Sequence, residues 1–179
     1  VLRMENSTRA AGPGSYSRIT PFNGNWMLLE PSSDTIYTLM PDCSLRPFIA
    51  RTPPIHTMDP EVFLIPRLIS NRYYFMEGIK NVYDFRKEEG FPKTYFVYDT
   101  QEKEFSRYII YNGDYTSKNE FYMVMLTPIN AQGESWATLN AFDLCRDYQK
   151  GKLKGKLKEV AATLEEDDNR VVVLVRPKK

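Results

Sequence analysis

Asp34-Thr-Ile-Tyr-Thr-Leu39, the polar stretch Pro41-Asp-Cys-Ser44 and Leu45-Arg-Pro-Phe-Ile49 return later in the chain. The second copies are Thr94-Tyr-Phe-Val-Tyr-Asp99, Gln101-Glu-Lys-Glu104 and Phe105-Ser-Arg-Tyr-Ile109. The offset is a constant 60, so that Ile36, Leu45, Phe48 and Ile49 recur as Phe96, Phe105, Tyr108 and Ile109. Self-similarity at a fixed spacing of this length marks a repeat architecture. Each copy sets β-branched and aromatic residues in short alternating runs around a polar turn, the pattern of paired strands rather than of a helix.

Working outward, Ile19-Thr-Pro-Phe-Asn-Gly-Asn-Trp-Met-Leu-Leu-Glu30 aligns with Pro66-Arg-Leu-Ile-Ser-Asn-Arg-Tyr-Tyr-Phe-Met-Glu77 at an offset of 47. The two offsets differ by 13, which places an insertion in the second copy, near Gly78 to Pro92. Its Asp84, Arg86, Lys87, Glu88, Glu89 and Gly90 fit an exposed hairpin tip or long loop. Each unit then reads as four strands. They are about Ser17–Phe22, Asn25–Glu30, Thr35–Met40 and Leu45–Ala50 in the first copy. In the second they are about Val62–Ser70, Tyr73–Ile79, Thr94–Tyr98 and Glu104–Tyr111. Phe121-Tyr-Met-Val-Met-Leu126 reads as the opening strand of a third unit, at an offset of 59 from Val62.

The pattern changes after Thr127. Ser135 is placed to cap a helix through Leu139, Phe142, Cys145 and Tyr148, and Gly151 interrupts it. Leu153, Leu157, Val160 and Leu164 form the stripe of a second helix. Its charges oppose the macrodipole, with Lys152, Lys154 and Lys156 opening it and Glu165 to Asp168 closing it. Arg170-Val-Val-Val-Leu-Val-Arg176 is the strongest strand signal and needs a sheet to join, because a bare valine strand invites aggregation. The expected organisation is a tail over residues 1–14, blades over 15–127, and helices with a final strand over 128–179.

Composition narrows the function classes. The 179 residues carry 24 basic and 23 acidic side chains, a net charge of +1, without the concentrated basic footprint that nucleic-acid binding requires. Hydrophobic residues are 42% and charged residues 26%, an ordinary globular balance. No apolar run approaches the ~18 residues of a membrane-spanning helix. Residues 1–15 lack the pattern of a signal peptide. The first residue is not Met, so the chain reads as processed or cut from something longer. Asn6-Ser7-Thr8 matches the short glycosylation sequon. Cys43 and Cys145 permit one disulfide but form no C-x-x-C, and free thiols are the reading adopted.

The run Asp34-Thr-Ile-Tyr-Thr-Leu39, Leu45-Arg-Pro-Phe-Ile49, Tyr73-Tyr-Phe75 and Val97-Tyr-Asp99 resembles the bacterial six-bladed β-propeller family of envelope-associated proteins. The ending from Gly151 through Glu166-Asp-Asp-Asn-Arg-Val-Val-Val-Leu-Val175 looks like that family's C-terminal helix and closing strand. The likeness spans roughly Ser15 to Arg176. It implies a mainly β chain of antiparallel four-stranded propeller-like blades with a C-terminal helical segment. It also implies a periplasmic or cell-surface location, as a lipoprotein or secreted protein without an assigned activity. The departure is size. Propellers close with four to eight blades of about 40–50 residues, and this chain supplies about two and a half.

Candidate site residues are few. His56, the one histidine, lies in Pro53-Pro-Ile-His-Thr-Met-Asp59, a connection between units that in propellers borders the central funnel. Contact with a ligand is one reading and an untasked loop histidine the plainer one. Arg67, on the expected innermost strand, could clamp an anion with its planar fork or pair with a neighbouring carboxylate. Asp59, Glu61, Glu77 and Asp84 could supply an acid–base pair or be solvated charges. Aromatic-rich Tyr73-Tyr-Phe75 could stack on bases or sugars, or pack one blade on another. No nucleophile elbow, phosphate loop or metal-ligand spacing is found, and no cofactor is expected.

The reading adopted is a non-enzymatic ligand- or protein-binding scaffold module. Its expected contacts are His56, Asp59, Arg67, Asp84 and Arg86, with Met58 and Lys87 beside them, and its partner is an unidentified small molecule or protein. The alternative is a propeller-type hydrolase or lyase whose remaining catalytic groups lie outside this chain. Self-association through open sheet edges is a third expectation.

Overall fold

Alternating aromatic and branched residues resolve into antiparallel ladders. The computed structural model describes residues 19–22, 24–30, 33–123, 126–130 and 134–176. The expected tail, the sequon Asn6-Ser7-Thr8 and strand positions Ser17, Arg18, Val124 and Met125 lie outside them. The chain is mainly β, with antiparallel sheets and, among the described residues, two α-helices. It divides into two units, one of residues 1–30 and 35–50, the other of residues 31–34 and 51–179.

The first unit holds one sheet in the order β1 (Ile19–Phe22), β2 (Asn25–Leu28), β3 (Thr35–Leu39) and β4 (Leu45–Ala50). Met27 stands opposite Thr38, which puts it on the face of Ile36, and both are buried, as is Leu29 beyond β2. Trp26, on the opposite face, is half exposed. The Phe22 and Phe48 rings pack 4.8 Å apart. At the β3–β4 turn Cys43 takes a left-handed φ of 64°, and a register shift follows between Ile36 and Tyr37.

The second unit repeats this meander with β5 (Val62–Ile69), β6 (Tyr73–Lys80), β9 (Lys93–Asp99) and β10 (Glu104–Arg107). The inserted stretch between β6 and β9 forms a small ladder of β7 (Tyr83–Asp84) and β8 (Glu89–Gly90). The central registers of the two sheets coincide under the sequence offsets. Trp26↔Leu39, Met27↔Thr38 and Leu28↔Tyr37 map onto Tyr73↔Asp99, Tyr74↔Tyr98 and Phe75↔Val97. The outer strands slip, by two residues between β1 and β5, where Ile19 faces Leu28 but Leu68 faces Phe75, and by one between β4 and β10. Leu39 faces Leu45, whereas Asp99 faces Glu104, so Leu45 corresponds to Glu104 and not to Phe105. The cause lies in the turns: Leu39 and Leu45 enclose five residues, while Asp99 and Glu104 enclose four.

The expected third opening strand at Phe121–Leu126 is not a strand in its described part. Phe121 N–H donates to Ile110 O and Leu126 N–H to Met123 O. Met123 and Leu126 instead bury themselves with Leu68 in a core flanked by Phe75, Tyr108, Ile110, Phe121, Ala137 and Val175. The third sheet comprises β11 (Thr127–Pro128), β12 (Ser135–Leu139) and β13 (Val171–Val175), in that order. Ser135 therefore opens a strand and caps no helix. The valine strand requires a partner, and Ser135-Trp-Ala-Thr-Leu139 alternates well enough to supply one, pairing residue for residue from Ser135↔Val175 to Leu139↔Val171.

Helix α1 (Ala141–Gln149) is capped instead by Asn140, whose Oδ1 accepts the Phe142 N–H at 2.9 Å. Helix α2 (Gly155–Ala161) is shorter than the leucine stripe, so the acidic run Glu165–Asp168 lies beyond its end. Its N-terminus receives a carboxylate from afar: Asp114 Oδ2 accepts the Leu157 N–H at 3.0 Å, which suits the positive end of the macrodipole. Leu144, Leu153, Leu157 and Ala161 form the second core of this unit. Neither cysteine is in a disulfide; Cys43 is exposed and Cys145 buried.

Candidate functional site

A bulge decides the local chemistry. Along β5 and β6, Pro66 faces Met76 and Leu68 faces Phe75, leaving Arg67 as the extra residue between them. Bulges re-aim the side chain they carry, and here the Arg67 guanidinium reaches Glu77 on β6. Its Nε and Nη2 lie 3.0 and 2.5 Å from Glu77 Oε2. Lys93, which faces Ile79 and is therefore diagonal to Glu77, puts Nζ 2.8 Å from Oε1. Both oxygens of a carboxylate only 2% exposed are thus engaged by cations.

The balance of forces on Glu77 is legible. Burial by itself would push its pKa up, but the hydrogen bonds from Lys93 and Arg67 and their charges outweigh it, and the carboxyl is held below its usual range. The bond to Glu77 raises Lys93 in turn. Glu77 is therefore a locked anion. Its reading as a solvated charge is corrected: Tyr73 and Phe75 precede it on one face of a strand, and the alternation carries that face inward.

Tyr95 faces Glu77 across the ladder and opens a run of tyrosines. Its ring lies 6.2 Å from that of Tyr108 and 4.9 Å from that of Tyr122. Tyr108 follows β10 and donates its N–H to Tyr95 O. The chain then runs to Tyr111, which bridges back to Glu120. This irregular hairpin and β9 frame a small, partly open pocket lined by Tyr95, Tyr108, Ile110, Glu120, Phe121 and Tyr122. The Tyr122 hydroxyl donates to Glu120 Oε2. The Tyr108 hydroxyl is buried and, among the described residues, has no hydrogen-bond partner. Burial, then the charges of Tyr95 and Glu77, push its pKa above the usual tyrosine value, so it stays a proton donor.

The residues expected from sequence are dispersed among different partners. Arg67 meets Glu77. His56 sits in a 3-10 turn (Ile55–Thr57), 78% exposed, with Nδ1 4.0 Å from Asp34 Oδ2. Asp34 is occupied otherwise, its Oδ1 accepting the Ile55 N–H at 2.6 Å. Asp59 is exposed. Asp84 Oδ1 accepts the Arg86 N–H at 2.9 Å and so closes the turn of the inserted hairpin, where Arg86 is itself exposed. Tyr95, Tyr108, Glu120 and Tyr122 were not singled out. The 60-residue repeat pairs Tyr108 with Phe48, a position where one copy has a hydroxyl and the other none.

No family model matches the chain, and no curated protein matches it. A solved structure from Bacteroides fragilis, described as a "putative exported protein", is similar in fold, with a TM-score of 0.60 at 16% identity. The likeness covers 90% of this chain and 49% of the other, so the chain spans about half that protein's length. No helix among the described residues is long and apolar enough to cross a membrane.

Proposed function

We propose that this chain is a non-enzymatic binding module of an exported, envelope-located protein, and that its ligand is a small neutral polyol of the sugar class held in the tyrosine pocket. The two four-stranded meanders support reading them as propeller-type blades, and the fold shared with a protein described as "putative exported" supports the location. His56, Asp59, Asp84 and Arg86 are proposed as peripheral contacts on exposed loops of the same unit.

One observation carries the ligand class: the Tyr108 hydroxyl, buried and unpartnered among the described residues, next to the carboxylate of Glu120 and the rings of Tyr95 and Tyr122. A sugar ring has an apolar C–H face that packs on aromatic rings, and hydroxyls that accept from a phenol and donate to a carboxylate. The pocket sets those groups side by side. The hydrolase alternative draws less support, because a general acid needs a raised pKa and Glu77, the most deeply buried carboxylate among the described residues, is displaced the other way.

The test is a titration with a panel of mono- and disaccharides, following the tyrosine ring resonances by NMR. The expected result is saturable shifts at Tyr95, Tyr108 and Tyr122, and affinity about tenfold weaker in Tyr122→Ala, a loss of about 1.4 kcal/mol. A panel that leaves those resonances unmoved, or shifts only with an alkylammonium ligand, overturns the reading.

A further inference from the structure

The outer strands of the first two sheets carry the features that protect a sheet edge. β4 contains Pro47 and a register shift. β10 is four residues long and bears Glu104 and Arg107. β13 has neither device. It is five consecutive apolar residues, pairs on one side with β12, and has no strand on its other side among the described residues. Its inward residues Val171 and Val175 pack into the two cores of this unit. Val172 and Leu174, on the outer face, are each 60% exposed, and Trp136 stands beside Leu174.

The ends of this strand are charged. Arg170 and Arg176 are exposed on the same face as Val172 and Leu174, six positions apart. Arg176 meets Glu134 at 3.2 Å on the β12 side and stays 72% exposed, so its remaining donors are open to a second carboxylate. A second copy of β13 fits badly: in the antiparallel register that covers the whole strand, Arg170 of each copy would face Arg176 of the other, and like charges directly opposed are destabilising.

We infer that the free edge of β13 accepts an extended segment of a second polypeptide as a fourth, antiparallel strand. That segment carries two apolar residues at alternate positions between two carboxylates six positions apart. Main-chain hydrogen bonds to β13 supply its affinity. The apolar pair covers Val172 and Leu174, and the carboxylates meet Arg176 and Arg170.

The experiment titrates the full chain with the peptide Glu-Thr-Val-Thr-Val-Thr-Glu and follows backbone amides by NMR. The expected result is saturable shifts confined to β13 and its flanks, at least tenfold tighter than for the same peptide ended by lysines. Binding should be lost when alternate peptide nitrogens are methylated. The double variant Arg170→Glu, Arg176→Glu should reverse the preference toward the lysine-ended peptide while keeping the unbound spectrum elsewhere. Equal binding of both peptides, silent β13 amides, or concentration-dependent self-association through β13 that ignores the peptide would each overturn the proposal.

Discussion

Glu77 has 2% of its surface exposed and a cation on each oxygen, so its stability contribution depends on both partners and on pH. Removing one partner of a fully enclosed pair costs roughly 3–5 kcal/mol. Arg67 keeps 31% exposure and Lys93 remains, so Arg67→Ala should cost less, about 2 kcal/mol in urea unfolding. The sign with pH follows from the lowered Glu77 pKa. The stabilisation is full above the unfolded glutamate value, about 4.3, and disappears as pH falls through the folded value. Urea midpoints of the wild type should therefore drop below about pH 4.5, and Glu77→Gln should flatten that part of the profile. An unchanged slope in the variant would remove Glu77 as its source. At this scale the sequence was a partial guide. Arg67 was legible as an arginine on an inner strand, but its partner depended on a bulge that no propensity marks. Tyr108 was legible as a strand aromatic, while its missing hydrogen-bond partner is a property of three-dimensional packing alone.

Elements show where local signals were enough and where the tertiary fold overruled them. The valine strand, the inserted hairpin and the strand–turn–strand pairs were readable, because alternation and turn residues act within a few positions. Ser135 was misread as a cap because Leu139, Phe142, Cys145 and Tyr148 also fit a helical period; the need of β13 for a ladder decides for strand. The second helix looked electrostatically adverse because its compensating charge, Asp114, lies 43 residues before Leu157. Lys154 at the cap position makes no side-chain hydrogen bond. Asp114→Ala should accordingly destabilise α2 by about 1 kcal/mol, visible as faster amide exchange over Gly155–Ala161, with Asp114→Asn retaining part of the protection. Gly155→Ala should cost more, since φ is +57° there and an added Cβ would stand 2.6 Å from Asp114 Oδ1. Protection of α2 that is indifferent to both positions would show that packing of Leu157 alone holds it.

For the molecule as a whole, two sheets share one central register while differing at their outer strands, and a third has three strands among the described residues. Repetition was visible in the chain because aromatic and branched positions recur at fixed offsets; the slips were not, because they arise from turns of five and four residues and from the bulge at Arg67. The proposed binding lies at the second sheet, where the repeat has Tyr95 and the phenol of Tyr108 in place of Thr35 and Phe48. Tyr108→Phe is the most direct measurement, since it deletes one oxygen and keeps the ring. The account predicts a protein as stable as the wild type or more so, by about 1 kcal/mol for removal of an unsatisfied buried hydroxyl, together with at least tenfold weaker sugar binding. Lower stability with binding unchanged would show that the hydroxyl serves the fold and that the ligand site lies elsewhere.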